Sequence, residues 1–189
     1  MSVAAIVKGR RSIRKFEERD VPDSLIYGLL EQAANLCDRN ALQATRVVVA
    51  NRKESRDRLS RALTEALAAT RMGKLMPGQL LDTMSRRFAE LPGHLIVAVK
   101  DDGSARTKDW QYAHACFFMQ TLQLLAWEQG LGMFWRSEEV MYSSAAFELL
   151  GIGSGERLVG LMHFGFIAKT PRPRNRTPAA RRWAQWPNI

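Results

Sequence analysis

The chain is poor in cysteine, in histidine and in acid. Its two cysteines, Cys37 and Cys116, stand far apart in helix-like sequence. A disulfide framework and a zinc cluster are therefore excluded as organising devices, and both thiols are expected to be free and buried. The three histidines, His94, His114 and His163, lie in apolar surroundings without a carboxylate or cysteine at metal-binding spacing. They are expected as satisfied core or interface residues. Polar residues break every apolar stretch before it is long enough to span a bilayer. The opening Met1-Ser2-Val3-Ala4-Ala5-Ile6-Val7-Lys8 lacks a basic leader followed by a long apolar run. No secretory signal is expected from it, and a cytoplasmic location is.

The deficit of acid leaves 19 acidic residues against 28 basic ones, a net charge of +9. Such a surplus attracts nucleic acid, an anionic membrane or a phosphorylated small molecule. Arginine outnumbers lysine, which suits the gripping of phosphate but is also a matter of composition alone. At 189 residues and 46% hydrophobic content, the chain can bury a full core and is expected to form one domain over residues 1–189.

Ser2 to Gly9 reads as a short helix, with Arg10 and Arg11 near its partly negative end. Val21-Pro22-Asp23 opens a second, whose Leu25, Leu29, Leu30, Ala33 and Leu36 share one face. Arg46 to Ala50 is a β-branched run and hence a strand. Ser55 to about Met72 is a third helix, broken by Met76-Pro77-Gly78 before a fourth over Gln79 to Phe88. His94 to Lys100 is continuously apolar and reads as a buried strand, followed by a turn at Asp101-Asp102-Gly103-Ser104. Trp110 to Gln129 is the longest helical candidate and is apolar around most of its circumference. In a chain this small, burying every face of that helix is easiest in a dimer. Gly132 to Trp135 and Arg157 to Ile167 supply further strands, with a helix closing at Leu150 between them. After Lys169 the sequence is rich in proline and arginine, and an extended tail able to cross a subunit boundary is expected. Strands separated irregularly by several helices give an α+β domain.

Two signals are rejected. Gly151-Ile152-Gly153-Ser154-Gly155 follows a helix and precedes a strand, the reverse of a dinucleotide fingerprint, and is expected as a helix cap with a turn. Ser143-Ser144, before an apolar helix, reads as a cap. No serine, cysteine or threonine has a histidine near it in sequence that marks it as a nucleophile. An absent catalytic side chain favours chemistry carried by a cofactor.

Arg10-Arg11-Ser12, echoed by Trp135-Arg136-Ser137, then becomes informative. Guanidinium forks match phosphate oxygens in pairs, and a serine hydroxyl adds a neutral donor. The run Arg10 to Phe16, the Val21-Pro22 helix and Gln43 before the first strand come in a specific order. They are followed by the long apolar helix, by Gly130 to Ser137 and by the Val159 to Gly165 strand. Taken together these resemble the nitroreductase family of flavin mononucleotide (FMN) enzymes, over nearly the whole chain.

The resemblance implies an α+β homodimer with a mixed or antiparallel sheet flanked by helices. Its long central helices pack across the interface, and each FMN lies between subunits. It implies that Arg10, Arg11 and Ser12 hold the flavin phosphate and ribityl chain. Arg14, or Lys15 in its place, sets a cation near the flavin ring. Arg39 and Gln43 approach from the partner subunit, and Trp135, Arg136 and Ser137 lie along ring and phosphate. Arg174 or Arg176 closes the phosphate site. The implied activity is transfer of hydride from NADH or NADPH to electron-poor acceptors such as nitroaromatics or quinones. The chain departs from the family pattern at Leu36-Cys37, at Ala44-Thr45 and at Gly165-Phe166-Ile167, which reshapes the walls over the ring. Those departures keep open a flavin-binding protein acting in cofactor metabolism or on one specific metabolite. The net charge keeps open a nucleic-acid-binding module, although the arginines are scattered and no groove-fitting basic element stands out.

Overall fold

A computed structural model of the chain describes residues 2–38, 42–136 and 144–173. In chain order the elements are α1 (Val3–Gly9), α2 (Asp23–Asn35), β1 (Thr45–Ala50), α3 (Lys53–Ala69), a 3-10 turn (Gly73–Leu75), α4 (Gly78–Ala89), β2 (Gly93–Lys100), α5 (Ala105–Glu128), β3 (Leu131–Arg136), α6 (Ser144–Leu149) and β4 (Glu156–Phe166). The four strands form one sheet in the order β1-β2-β4-β3. Every ladder in it is antiparallel. This is the α+β architecture expected from the sequence.

The two central strands, β2 and β4, are buried on both faces, which is why their sequences are apolar without alternation. On one face Leu95, Val97, Val99, Met162, Phe164 and Met133 pack against Ile26 and Leu29 of α2 and Phe118, Met119 and Leu122 of α5. On the other face Ile96, Ala98, Leu158 and Leu161 pack against Leu59 of α3 and, at the partly buried rim, Phe88 of α4 and Phe147 of α6. Each side chain of this size that is fully buried stabilises the fold by roughly 1.5–3 kcal/mol.

Helix α5 begins at Ala105, five residues before the Trp110 start expected from its apolar pattern. Ser104 caps it, accepting the Thr107 N–H at 3.2 Å. The cap lets a polar first turn, Ala105-Arg106-Thr107-Lys108-Asp109, join a helix that hydrophobic periodicity alone does not reveal. At the glycine run rejected as a nucleotide loop, Gly151 adopts φ +66° and the Ile152 N–H bonds back to Phe147 O at 2.8 Å. That is a left-handed helix cap, as expected, and not a nucleotide loop. Cys37 and Cys116 are both free, as expected, but each is half-buried where full burial was expected.

Candidate functional site: a basic cavity beside the edge strand

Beyond α1 the chain runs on as an extended strap across one end of the sheet. Ile13 N–H donates to Met133 O at 3.0 Å, Glu17 N–H to Phe166 O at 3.0 Å and Ala168 N–H to Lys15 O at 3.2 Å. Ser12 thereby bridges Met133 in parallel, and Phe16 bridges Ile167 in antiparallel fashion. Ile13 is fully buried, whereas Ser12, Arg14 and Lys15 are exposed. One apolar anchor within a polar run thus turns its hydrogen-bonding neighbours outward.

The glycines beneath the strap explain how it lies so close. Gly132 and Gly165 are directly opposed partners on β3 and β4. A Cβ at Gly132 would stand 2.5 Å from Ile13, and one at Gly165 would stand 2.9 Å from the Phe16 ring. Both are needed bare.

A cavity of about 740 Å³ opens beside the strap, lined by Val7, Lys8, Arg10, Arg11, Ser12, Arg14, Lys15, Phe134, Lys169, Pro171 and Arg172. Seven of these side chains are cationic, and among the described lining residues none is a carboxylate. The arginines are individually positioned. Arg10 Nη1 donates to Gln123 Oε1 at 3.3 Å, and Gln123 is buried on α5. Arg11 Nη1 meets the carbonyls of Lys8, Gly9 and Arg10 at 2.6, 3.0 and 2.9 Å, capping the negative end of α1. The Arg14 guanidinium lies 4.4 Å from the centroid of the Phe134 ring, a cation–π contact that flattens it along one wall.

Behind Phe134 lies a second polar feature. His94 and His163 are cross-strand partners whose Nδ1 atoms approach to 2.8 Å, and both are buried. The Phe88 ring stacks on His94 at 4.7 Å, and the Phe134 ring lies 6.0 Å from His163. Burial, with Arg56 nearby, pushes His94 down to about 3. Burial, with His94 and Arg136 adding, holds His163 well below its ordinary value. The pair is therefore neutral, a single proton bridging two rings. Both Nε2 atoms are buried. Among the described residues no cluster of metal-ligating side chains forms, and no described helix is long and apolar enough to cross a membrane.

Of the residues singled out from sequence, the fold gathers Arg10, Arg11, Ser12 and Arg14 at one cavity, with Lys15 beside them. Trp135 and Arg136 do not line it. Trp135 packs against the main core, and the Arg136 guanidinium lies 5.8 Å from the Phe88 ring. Gln43 is exposed in the turn before β1, at the sheet edge opposite β3. Arg39, Ser137, Ser143, Arg174 and Arg176 lie outside the described residues. Sequence reasoning missed Lys8, Phe134, Lys169 and Arg172 as cavity residues, and Gln123 as the partner of Arg10. Gln123 had a signal: a lone amide in the greasiest part of a helix.

The described residues thus form an α+β domain with a strongly basic cavity at one sheet edge. Comparison with known proteins gives it a family. The nitroreductase family profile matches residues 7–166. The chain is 28% identical over 180 residues to YfhC of Bacillus subtilis (strain 168), provisionally named an NAD(P)H nitroreductase, covering 95% of this chain and 92% of that protein. The crystal structure of a nitroreductase-like family protein from Bacillus cereus superposes with a TM-score of 0.88 at 30% identity, over 99% of this chain and 97% of that one. The FMN-dependent nitroreductase NfnB from Mycobacterium smegmatis, solved in complex with NADPH, shares the fold. Its TM-score is 0.69 at 20% identity, with 96% of each chain covered. The chain belongs to the nitroreductase family.

Proposed function

We propose that the protein is an FMN-dependent oxidoreductase that takes electrons from NADH or NADPH and passes them to electron-poor acceptors such as nitroaromatics or quinones. The observation that carries this reading is the cavity with seven cations, an aromatic wall at Phe134 and no carboxylate among its described lining residues. Its volume of about 740 Å³ falls within the usual span for cofactor sites. A dianionic phosphate and a planar ring suit such a lining, so the residues present fit the group that the family relationship suggests.

When bound, the flavin supplies hydride exchange, which no side chain of the cavity performs. The chain's own residues position and stabilise. Arg10 and the Ser12 hydroxyl hold the phosphate, and Gln123 fixes the direction from which Arg10 reaches it. Arg11 fastens α1 to the strap and adds charge. Arg14, with Lys15 as its neighbour, contributes positive potential that favours an electron-rich occupant. The anchored strap keeps these groups in place without reorganisation during turnover. The positive surplus of the whole chain draws in phosphorylated nicotinamide donors.

The same reading makes the working unit a homodimer. Helix α5 is apolar on its outer side as well, with Trp110 61% and Phe117 54% exposed, a stripe that calls for a partner. In a dimer Arg39 and Gln43 of one subunit approach the cavity of the other.

The absorption spectrum of the purified protein, before and after addition of FMN, tests the cofactor. Stopped-flow mixing with NADH and with NADPH tests the reaction, and bleaching of the flavin band is the expected result. A protein that stays colourless with excess FMN, or a bound flavin that neither nucleotide bleaches, removes the proposal. Molecular mass in solution tests the dimer.

A further inference from the structure

One row of rings crosses three strands and ends at the cavity wall. His94 on β2 stands directly opposite His163 on β4, and His163 stands directly opposite Phe134 on β3. Beyond Phe134 comes the strap, whose Arg14 guanidinium lies 4.4 Å from the centroid of the Phe134 ring. Arg14 is exposed and its long side chain has many rotamers, so the ring that receives it decides where its charge sits.

Each imidazole is held by more than one contact. The Nδ1 atoms meet at 2.8 Å, with the two rings at 86° to each other. Phe88 of α4 lies flat on His94, at 4.7 Å and 2° between planes, and meets His163 edge-on at 4.8 Å and 87°. His163 cannot turn without losing the hydrogen bond and that edge contact. Phe134, half-buried, has this fixed ring on its inner side at 6.0 Å.

The core on this face is otherwise built from Ile96, Ala98, Leu158 and Leu161. Two buried imidazoles cost desolvation that aliphatic side chains filling the same space would not. What aliphatic side chains lack is direction. Apolar contact is non-directional, whereas a hydrogen bond fixes the plane of a ring.

We infer that His94 and His163 are positioning residues: their hydrogen-bonded pair sets the Phe134 ring and, through it, holds the Arg14 guanidinium at the cavity. The consequence for chemistry rests on the flavoenzyme reading, in which Arg14 supplies positive potential to the flavin. The placement of Arg14 itself needs no flavin. Uncharged rings suit the task, since a cation behind Phe134 would compete for the π system that holds Arg14.

The test takes two readouts on the full-length protein. Without FMN, the NMR shift of the Arg14 Nε–H proton reports the ring current of Phe134. His94→Leu is expected to move it towards the value of an unstacked arginine. His94→Asn, whose amide stands near the place of Nδ1 and keeps a partner for His163, should leave it in place. With FMN, the midpoint potential of bound against free flavin gives the preference for the reduced form. Arg14→Met should weaken that preference about tenfold, a fall of about 30 mV for a two-electron couple. His94→Leu should lower the potential in the same direction, and adding it to Arg14→Met should lower it no further, because both act on one charge.

An unmoved Arg14 signal in His94→Leu overturns the inference. So does a signal displaced equally by Asn and Leu, or a potential change that adds to that of Arg14→Met. Should His94→Leu fail to fold, His94→Leu/His163→Leu leaves no ring nitrogen unpaired and carries the same readouts. A protein that never binds FMN fails the underlying reading, while the flavin-free signal still decides the placement of Arg14.

Discussion

Ile13 occupies the space that a side chain on Gly132 would fill: a Cβ built at Gly132 lies 2.5 Å from the Ile13 Cβ and Cγ1. The relationship joins the strap to the sheet by shape as well as by hydrogen bonds. It means that the position of Ser12 and Arg14, on either side of Ile13, is set by the absence of an atom on β3. Gly132→Ala is therefore expected to lift the strap. Overpacking of this kind costs about 1–3 kcal/mol, read as a lower melting temperature. FMN should also bind more weakly than to a variant equally destabilised elsewhere. Flavin fluorescence quenching on titration measures that affinity, and an unchanged Kd would show that the strap is not what aligns the phosphate donors.

Gln123 gives a second handle on the same grip. It is 5% exposed, its Oε1 accepts from Arg10, and its amide reaches Met119 O at 3.4 Å within α5. Gln123→Leu keeps the volume and removes the acceptor. A hydrogen bond to a charged group contributes roughly 1.5–3 kcal/mol, so FMN affinity should fall about tenfold or more while kcat at saturating FMN stays near its original value. A Kd within twofold of the unmodified protein would assign Gln123 to the core alone.

Much of this arrangement was legible in the sequence, and the illegible parts share one cause. The strands at 46–50, 94–100, 132–135 and 157–167 follow from β-branched and apolar runs. The basic strap was visible as Arg10-Arg11-Ser12-Ile13-Arg14. Strand register was not visible, since nothing in a linear pattern sets His94 opposite His163 or Gly132 opposite Gly165. That is why the histidines read as separate core residues when they are partners of one another. Alternation likewise decides that Phe134 faces the cavity while Trp135 turns into the main core, and the choice between adjacent residues depends on which face of β3 the strap covers. Lys169 and Arg172 follow β4, and the Phe16–Ile167 bridge and the Ala168–Lys15 bond bring them to the strap.

The Arg46–Glu156 pair provides a control that lies away from the cavity. Arg46 Nε and Nη2 reach the two oxygens of Glu156 at 2.7 and 2.6 Å, spanning β2 to tie β1 to the start of β4. The Arg46 hydrogen bonds hold the Glu156 carboxyl below its ordinary value. Because both side chains are partly exposed, water screens the pair. Glu156→Gln should destabilise the fold by only about 1 kcal/mol. Thermal melts should show that loss with flavin content and Kd unaltered; a change in Kd would mean that the sheet edge and the cavity are coupled.

The histidine pair makes stability depend on pH with a sign that can be worked out. His94 titrates near 3 in the folded chain against an ordinary 6.5, and His163 is shifted in the same direction. Between those pH values the unfolded chain binds more protons than the folded one. Stability is therefore full above about pH 6.5 and declines as the pH falls towards 3, by at most about 1.4 kcal/mol per pH unit for each proton involved. Glu156, held below its ordinary 4.5 by Arg46, adds acid sensitivity only lower on the scale. The interval from pH 7.5 to 5 thus isolates the histidines. Melting temperature should drop across that interval in the unmodified protein. In a His94→Leu/His163→Leu double variant, which removes both buried ring nitrogens and retains the apolar contact with Phe88, the curve should flatten. A protein whose melting temperature is level from pH 7.5 to 5 does not keep this pair neutral at the expense of acid stability.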